Sequence, residues 1–405
     1  MQHLLSGLRI VEGSAFIAAP SAGMTLAQLG ADVIRFDQIG GGIDYRRWPI
    51  NKQGKSLYWH SLNKGKRSIA VDFRKPEGQE LLTRLITAPG DNAGLFVTNF
   101  PARGWLAEEK LRAHRQDLIY MNLTGDRHGG SALDYTVNSK VGLPYLSSSD
   151  GKPVNNPFPA WDVLAGQHIA LGLLAAERYR RLTGEGQFIK LALADVALAT
   201  MGHLGYIAEA EVNGEARQPM GNHIFGTFGH DFQCSDGGRV MIVGVSPKQW
   251  KAIIEVTGTA QRVAELEKSL KLNFRQEGDR FQARQQLMEL FATWFCQHPY
   301  KFVCSALEEA GVCWGPYQTI QQMLAEDPDC SEENPLFERV EQPGIGSYLV
   351  PSNPMYFGGV EREAPRPAPL LGQHTDEILA DTLGLSGSEI AQLHDDGVVA
   401  GSEAS

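Results

Sequence analysis

The chain has 405 residues and little of what marks a secreted, membrane-embedded or nucleic-acid-binding protein. Its five cysteines, Cys234, Cys296, Cys304, Cys313 and Cys330, are odd in number, and no two form C-x-x-C. A disulfide framework and a zinc knuckle are thereby argued against, and free thiols in a reducing cytoplasm are expected. Nowhere do about 18 apolar residues run uninterrupted, and the N-terminus lacks a charged head followed by a long apolar stretch, so no membrane partner is expected. Positive charge is also short. Thirty-seven Lys and Arg stand against 47 Asp and Glu, a formal net charge of −10, and no field of that sign gathers a polyanion. Nucleic acid is not expected as a partner.

Several chemical signatures are missing too. No two histidines stand as H-x-x-x-H or H-x-H, so no metal is expected; His168, on an apolar stretch, reads as packed. The absence of G-x-S-x-G argues against a serine acyl hydrolase. The first loop, GSAFIAAP at 13–20, has a single glycine where a dinucleotide fingerprint needs three. Asp37, ending the second strand, therefore reads as a structural residue rather than a ribose ligand.

What is present is an alternation of strand and helix signals in a chain 42% hydrophobic, long enough for two or three packing units. Residues 8–12 read as a strand, a helix follows from Pro20 to Gly30, and residues 31–36 return as a second strand. The rhythm repeats through 68–71, 76–86, 94–97 and 118–123, which predicts a parallel sheet covered by helices on both faces. A long helix from Val163 to about Leu182 and a strand over 188–193 continue it. The expected division is a large Rossmann-like domain over 1–213, a Gly-rich linker over 214–232, a smaller α+β domain over 233–330, and a return of the chain to the large domain over 331–405.

Loops at strand carboxyl ends are where such sheets bind ligands. NKGKRS at 63–68, VTNFPARGW at 97–105 and DYRRW at 44–48 bring arginines and lysines there, and Arg grips phosphate or carboxylate with paired bonds. Asp162, in PAWDVLAG, stands where the long helix begins. Two readings stay open on spacing alone: a helix N-cap, or a carboxylate nucleophile toward an activated acyl group.

Taken together, residues 8–37, NKGKRSIAVD at 63–72, VTNF at 97–100, PAWD at 159–162, RLTGEGQ at 181–187, GVCWGP at 311–316 and LLGQHTDEIL at 370–379 resemble the family III CoA-transferases, in order along nearly the whole chain. Within that family, residues 39–49, 99–106, 134–138 and 340–351 look like the mesaconyl-CoA C1–C4 CoA transferases. The resemblance implies an α/β fold with a Rossmann-like large domain and a smaller one, in an interlocked-ring homodimer. It implies no permanently bound cofactor, coenzyme A entering as part of an acyl-CoA dicarboxylate substrate. Asp162 matches the catalytic aspartate. It would form a mixed anhydride with the acyl group, then an aspartyl-CoA thioester, and CoA would return from C1 to C4 of the same mesaconate. The CoA site maps onto Phe16, Ile17, Ala18, Asn63, Lys66, Arg67, Asn99, Phe100 and Arg103, with Lys66, Arg67 and Arg103 expected on phosphates. Arg46, Arg47 and Asn138 are candidates for the acyl group, and Gly226 and Gly229 for a segment lining the pocket. The competing readings are intermolecular transfer from succinyl-CoA to a C5 dicarboxylate, and a 2-methylacyl-CoA racemase, whose G-H-D histidine has no counterpart near 136–138.

Overall fold

The computed structural model describes residues 3–215 and 217–402. It separates into two compact units, the first built from three stretches: up to Val141, Pro157–Ala208, and from Pro328 onward. The second comprises Gly142–Asn156 and Glu209–Asp327.

The first unit is organised by a seven-stranded sheet made of β1 (Arg9–Gly13), β2 (Asp32–Asp37), β3 (Arg67–Val71), β4 (Leu95–Thr98), β5 (Ile119–Thr124), β6 (Gln187–Ala192) and a terminal β12 (Val399–Ala400). Their spatial order is β12-β3-β2-β1-β4-β5-β6, parallel throughout except for β12, which runs antiparallel on β3. The central strands are buried almost throughout, as expected where helices cover both faces. One core cluster joins Val11, Ile34, Phe36, Phe96 and Tyr120 from the sheet to Leu82, Leu85 and Ile86 of a covering helix. The chain leaves β1 toward β2 on one side and later places β4 on the other. The carboxyl ends of β1 and β4 thus flank a topological switch point, where open α/β sheets have a crevice.

The helices of this half are α1 (Ala18–Gln28), α2 (Leu57–Leu62), α3 (Pro76–Ile86), α4 (Glu108–His114) and α5 (Asp134–Lys140). A short α6 (Leu143–Leu146) belongs to the second unit, and the 24-residue α7 (Ala160–Thr183) and α8 (Leu193–His203) return to the first. α1 and α7 cross very closely. A Cβ placed on Gly166 of α7 would sit 2.2 Å from Ser21 Oγ and 2.8 Å from the Ala18 carbonyl, so only glycine permits this approach. His168, expected to be packed, is exposed because it faces away from that crossing.

The second unit has a three-stranded antiparallel sheet, β7 (Phe228–Gln233), β8 (Arg239–Gly244) and β9 (Cys313–Pro316), packed on helices over 247–309. Its boundaries differ from the expected ones. The stretch 214–232 is not a free linker: it carries most of β7, and Met220 and Gly221 donate backbone hydrogen bonds to Leu146 and Ser148 at 3.1 and 2.8 Å. Those bonds draw residues 142–156, expected in the large domain, into the second unit. A two-stranded hairpin, β10 (Phe337–Gln342) with β11 (Gly346–Pro351), lies in the first unit.

Candidate active site

A cleft of about 330 Å³ opens at the carboxyl ends of β1, β4 and β5, within the first unit. Its walls are the loop Ala15–Ala18, the turn Asn99–Pro101, the loop 124–133 and, from α7, Asp162.

The first loop is held by several polar contacts. Asn99 and Ala15 exchange two hydrogen bonds, Ala15 N to Asn99 Oδ1 at 3.0 Å and Asn99 Nδ2 to Ala15 O at 2.8 Å. Phe16 adopts φ +70°, a left-handed conformation costly for a residue with a Cβ, and its N–H donates to Asp44 Oδ2 at 3.0 Å. Arg35, fully buried, pairs with both oxygens of Asp37 at 2.8 and 2.9 Å and donates to the Ser14 carbonyl at 2.9 Å. Burial works against its charge, but Asp37, Asp44 and Glu12 outweigh that and hold it more firmly protonated than a free arginine. The strained loop is thus fixed by an ionic cluster beneath it. Asp37 serves there structurally, as the sequence suggests.

The cluster also takes up several residues expected to contact CoA. Lys66 Nζ lies 2.8–2.9 Å from Glu12, the Pro20 carbonyl and Asn63 Oδ1, with its side chain wholly buried. Burial pulls its ammonium down to about 8, against the attraction of Glu12. Every N–H of Lys66 is therefore spent internally, which corrects the phosphate role expected of it. Asn63, 1% exposed, accepts from Lys66 and Arg35 and donates to Trp59 O, so it too supports the loop from below. Arg67 opens β3 at the amino end of the strand, away from the cleft, and pairs with Asp32 at 2.6 Å and Glu377 at 3.0 Å. Its expected phosphate contact is likewise corrected. Phe16, Ile17, Ala18, Asn99 and Phe100 do line the cleft. Arg103 is exposed just past β4, where it precedes a short turn over Gly104–Leu106.

Asp162 stands in the first turn of α7, yet it does not cap that helix. The cap comes from α5: Asp134 Oδ2 accepts the N–H of Trp161 at 2.7 Å and of Asp162 at 3.0 Å. The Asp162 carboxylate accepts no hydrogen bond among the described residues and faces the cleft. Burial pushes its pKa up to about 7, and the neighbouring charge of Asp134 adds to this while Arg47 opposes it. Arg47 lies over the rings of Phe16 and Tyr58, 5.3 and 5.5 Å from their centroids. The Tyr58 hydroxyl is raised by burial, so it stays protonated. Arg46 is exposed beside it.

One acyl-group candidate and the two candidate pocket-lining glycines have other places. Asn138 is buried, and its Oδ1 accepts the Trp161 indole N–H at 3.2 Å, so it reaches the site only through Trp161. Gly226 and Gly229 lie in the second unit, before and within β7; a Cβ on Gly229 would meet Ile224 at 2.5 Å, which accounts for glycine there. Sequence reasoning missed Asp134, Asp44 and Tyr58. The one available signal was the i, i+4 spacing of Asp134 and Asn138, which places both on one helix face.

A parallel α/β sheet, a cleft at its switch point and a half-buried carboxylate with a raised pKa beneath a pinned loop make up the site. The chain matches the model of CoA-transferase family III over residues 5–375, and it belongs to that family. Among its relatives is the 2-methylfumaryl-CoA isomerase of Chloroflexus aurantiacus, 57% identical over 404 residues and covering 99% of each chain. The succinyl-CoA--D-citramalate CoA-transferase of the same organism is 28% identical, covering 96% of each. Among solved structures, a CaiB/BaiF family protein from Brucella suis superposes with a TM-score of 0.77 at 26% identity, covering 94% of this chain and 100% of that one. These findings correct the specific reaction expected from sequence. The relative at 57% identity is named an isomerase rather than a C1–C4 CoA transferase, while its acyl group, 2-methylfumarate, is the same diacid as mesaconate.

Proposed function

We propose that this protein isomerises 2-methylfumaryl-CoA or a close structural relative by opening and re-forming a thioester at Asp162. The observation that carries the reading is the carboxylate itself, half-buried at the cleft wall, without a hydrogen bond among the described residues, and raised to about 7 by the desolvation there. The relative at 57% identity supports the substrate class. Attack by Asp162 on the thioester carbonyl forms a C–O bond, breaks C–S, and leaves a mixed anhydride with CoA as thiolate. The thiolate then attacks the Asp162 carbonyl, releasing the acid as a carboxylate into the cleft. The other carboxylate of the released diacid then attacks the Asp162–CoA thioester, expelling CoA thiolate and forming a second mixed anhydride. The thiolate attacks the acyl carbonyl of that anhydride, which frees the Asp162 carboxylate and leaves the thioester on the other carboxyl with no second acid consumed. Retention of the released acid supplies the effective concentration that recombination needs.

Arg47, pinned on two rings at the cleft edge, is assigned to the free carboxylate of the acyl group, with Arg46 beside it as the alternative. Asn99 and Phe100 are assigned to the CoA arm and Arg103 to a phosphate. The reading needs no cofactor beyond the substrate's own CoA, and it includes a homodimeric, cytoplasmic enzyme. No helix among the described residues is long and apolar enough to cross a membrane.

The test is to incubate the protein with 2-methylfumaryl-CoA alone and resolve isomeric thioesters by liquid chromatography, with Asp162→Ala alongside. Isomer formation without added acid, lost by a factor of about 10³ or more in the variant, is expected. Turnover that appears only when a free carboxylic acid is supplied, or that survives in Asp162→Ala, overturns the proposal.

A further inference from the structure

We propose that Asp134 is a positioning residue for Asp162, setting both the direction and the charge environment of the nucleophile from a neighbouring helix. The inference rests on the reading of Asp162 just given and adds a second carboxylate with a separate role.

The geometry is that of a bracket. The first four N–H groups of a helix have no partner within it, and a side chain just before the helix normally supplies one. Here that position is Pro159, which offers no side-chain acceptor. Asp134, the first residue of α5, supplies it from 28 residues earlier in sequence, through a single oxygen that receives two N–H groups. One helical turn further along α5, Asn138 accepts the indole N–H of Trp161, which is itself 4% exposed. α5 therefore grips Trp161 at its backbone and at its ring, and Asp162 at its backbone. Successive helix residues point about 100° apart, so a first turn held at these points directs Asp162 into the cleft and no other way.

Capping alone does not call for a charge. Serine, threonine or asparagine would accept the same N–H groups about as well. Aspartate instead sets a second negative charge beside a buried carboxylate. The ionisable groups that face Asp162 are Asp134 from α5, Arg47 from the loop after β2, and Tyr58 from α2, and of these only Asp134 resists its ionisation. Asp134 thereby makes Asp162 more basic, and a more basic carboxylate is a stronger nucleophile once ionised. Its own ionisation is supported by the two N–H bonds, against a larger opposing effect of burial.

Two variants separate direction from charge, assayed as full-length protein on 2-methylfumaryl-CoA with kcat and KM measured across pH. Asp134→Asn keeps an acceptor and removes the charge. The acid limb of kcat/KM is expected about one pH unit lower, with plateau kcat within about tenfold of wild type. Asp134→Ala removes both, and kcat is expected to fall about 100-fold with KM changed less than about threefold, because misdirection costs the transition state more than the bound substrate. A purely structural cap would lower the melting temperature and leave the acid limb where it is. If Asp134→Ala does not fold, Trp161→Phe, which loses only the indole donor, is expected to lower kcat about tenfold with KM and the acid limb unchanged. An acid limb unmoved in Asp134→Asn, or wild-type kcat in both Asp134→Ala and Trp161→Phe, overturns the inference. Loss of activity in Asp162→Ala together with an unmoved limb in Asp134→Asn leaves the nucleophile reading standing and removes only this one.

Discussion

A carboxylate held half-buried against its ionisation is a burden on folding, and the size of that burden follows from Asp162. Its pKa stands near 7 rather than the ordinary 3.8, with burial the larger cause and Asp134 the second. A raised carboxyl binds its proton more tightly in the folded than in the unfolded chain, so its contribution to stability falls as pH rises through the window from 3.8 to about 7. Below that window the effect is absent; above it the full penalty is present. At about 1.4 kcal/mol for each pH unit between the two values, the penalty is at most ~4 kcal/mol, and water in the cleft screens it toward ~2. Asp162→Asn removes the ionisation while keeping the shape. The variant should therefore be more stable than wild type by ~2–4 kcal/mol at pH 8, a rise in Tm of about 4–8 °C for a unit of this size. The advantage should shrink by about 1.4 kcal/mol per pH unit below 7. The assay is thermal unfolding of both proteins in matched buffers from pH 8 down to pH 5, read as the difference in Tm, which cancels titrations common to the pair. A difference that does not change with pH, or a variant less stable at pH 8, refutes the claim that Asp162 is held against its ionisation.

Three further outcomes follow from the same geometry. Gly166→Ala should press α1 away from α7 at Ala18 and Ser21, shifting the cleft loop against Asp162 and lowering kcat at least tenfold, by steady-state kinetics. Lys66→Met should destabilise the fold by about 3–5 kcal/mol in denaturant titrations by leaving Glu12 undercompensated; a KM for the CoA thioester raised tenfold with stability unchanged would return Lys66 to the phosphates. Asn99→Ala should free both the N–H and the carbonyl of Ala15, costing about 1–2 kcal/mol in urea titrations and raising KM about tenfold as the loop loosens.

Much of the fold was readable from periodicity alone. The strand over 9–13, the helix after it and the strand over 32–37 fall within a residue or two of their expected places, because a parallel sheet buried on both faces writes itself as short apolar runs between helical patterns. The division into units was less readable. Residues 142–156 read as part of the large domain and 214–232 as a Gly-rich linker. Their backbones instead bond each other, through Met220 to Leu146 and Gly221 to Ser148, and such pairings between segments some 70 residues apart leave no local trace. The cationic cluster NKGKRS misled for a similar reason. A lysine followed by an arginine at the start of a strand looks the same whether it meets solvent, a phosphate or a buried glutamate. It is Glu12 on β1, two strands away from β3, together with the Pro20 carbonyl and Asn63, that turns Lys66 inward.

Asp162 shows the same limit at the point that matters most for chemistry. An aspartate in the first turn of a helix is compatible with capping and with nucleophilic attack, and these roles compete for the same oxygens: a carboxylate bonded to helix N–H groups is stabilised as an anion and is a poorer nucleophile. The fold resolves the competition by supplying the cap from Asp134. With the N–H groups of Trp161 and Asp162 already satisfied, both oxygens of Asp162 are left to the cleft, and the charge that satisfies them also raises the basicity of the group it displaces from capping. A sequence with one aspartate at the helix start is ambiguous; two aspartates 28 residues apart, one bound to the backbone of the other, divide the two roles between them.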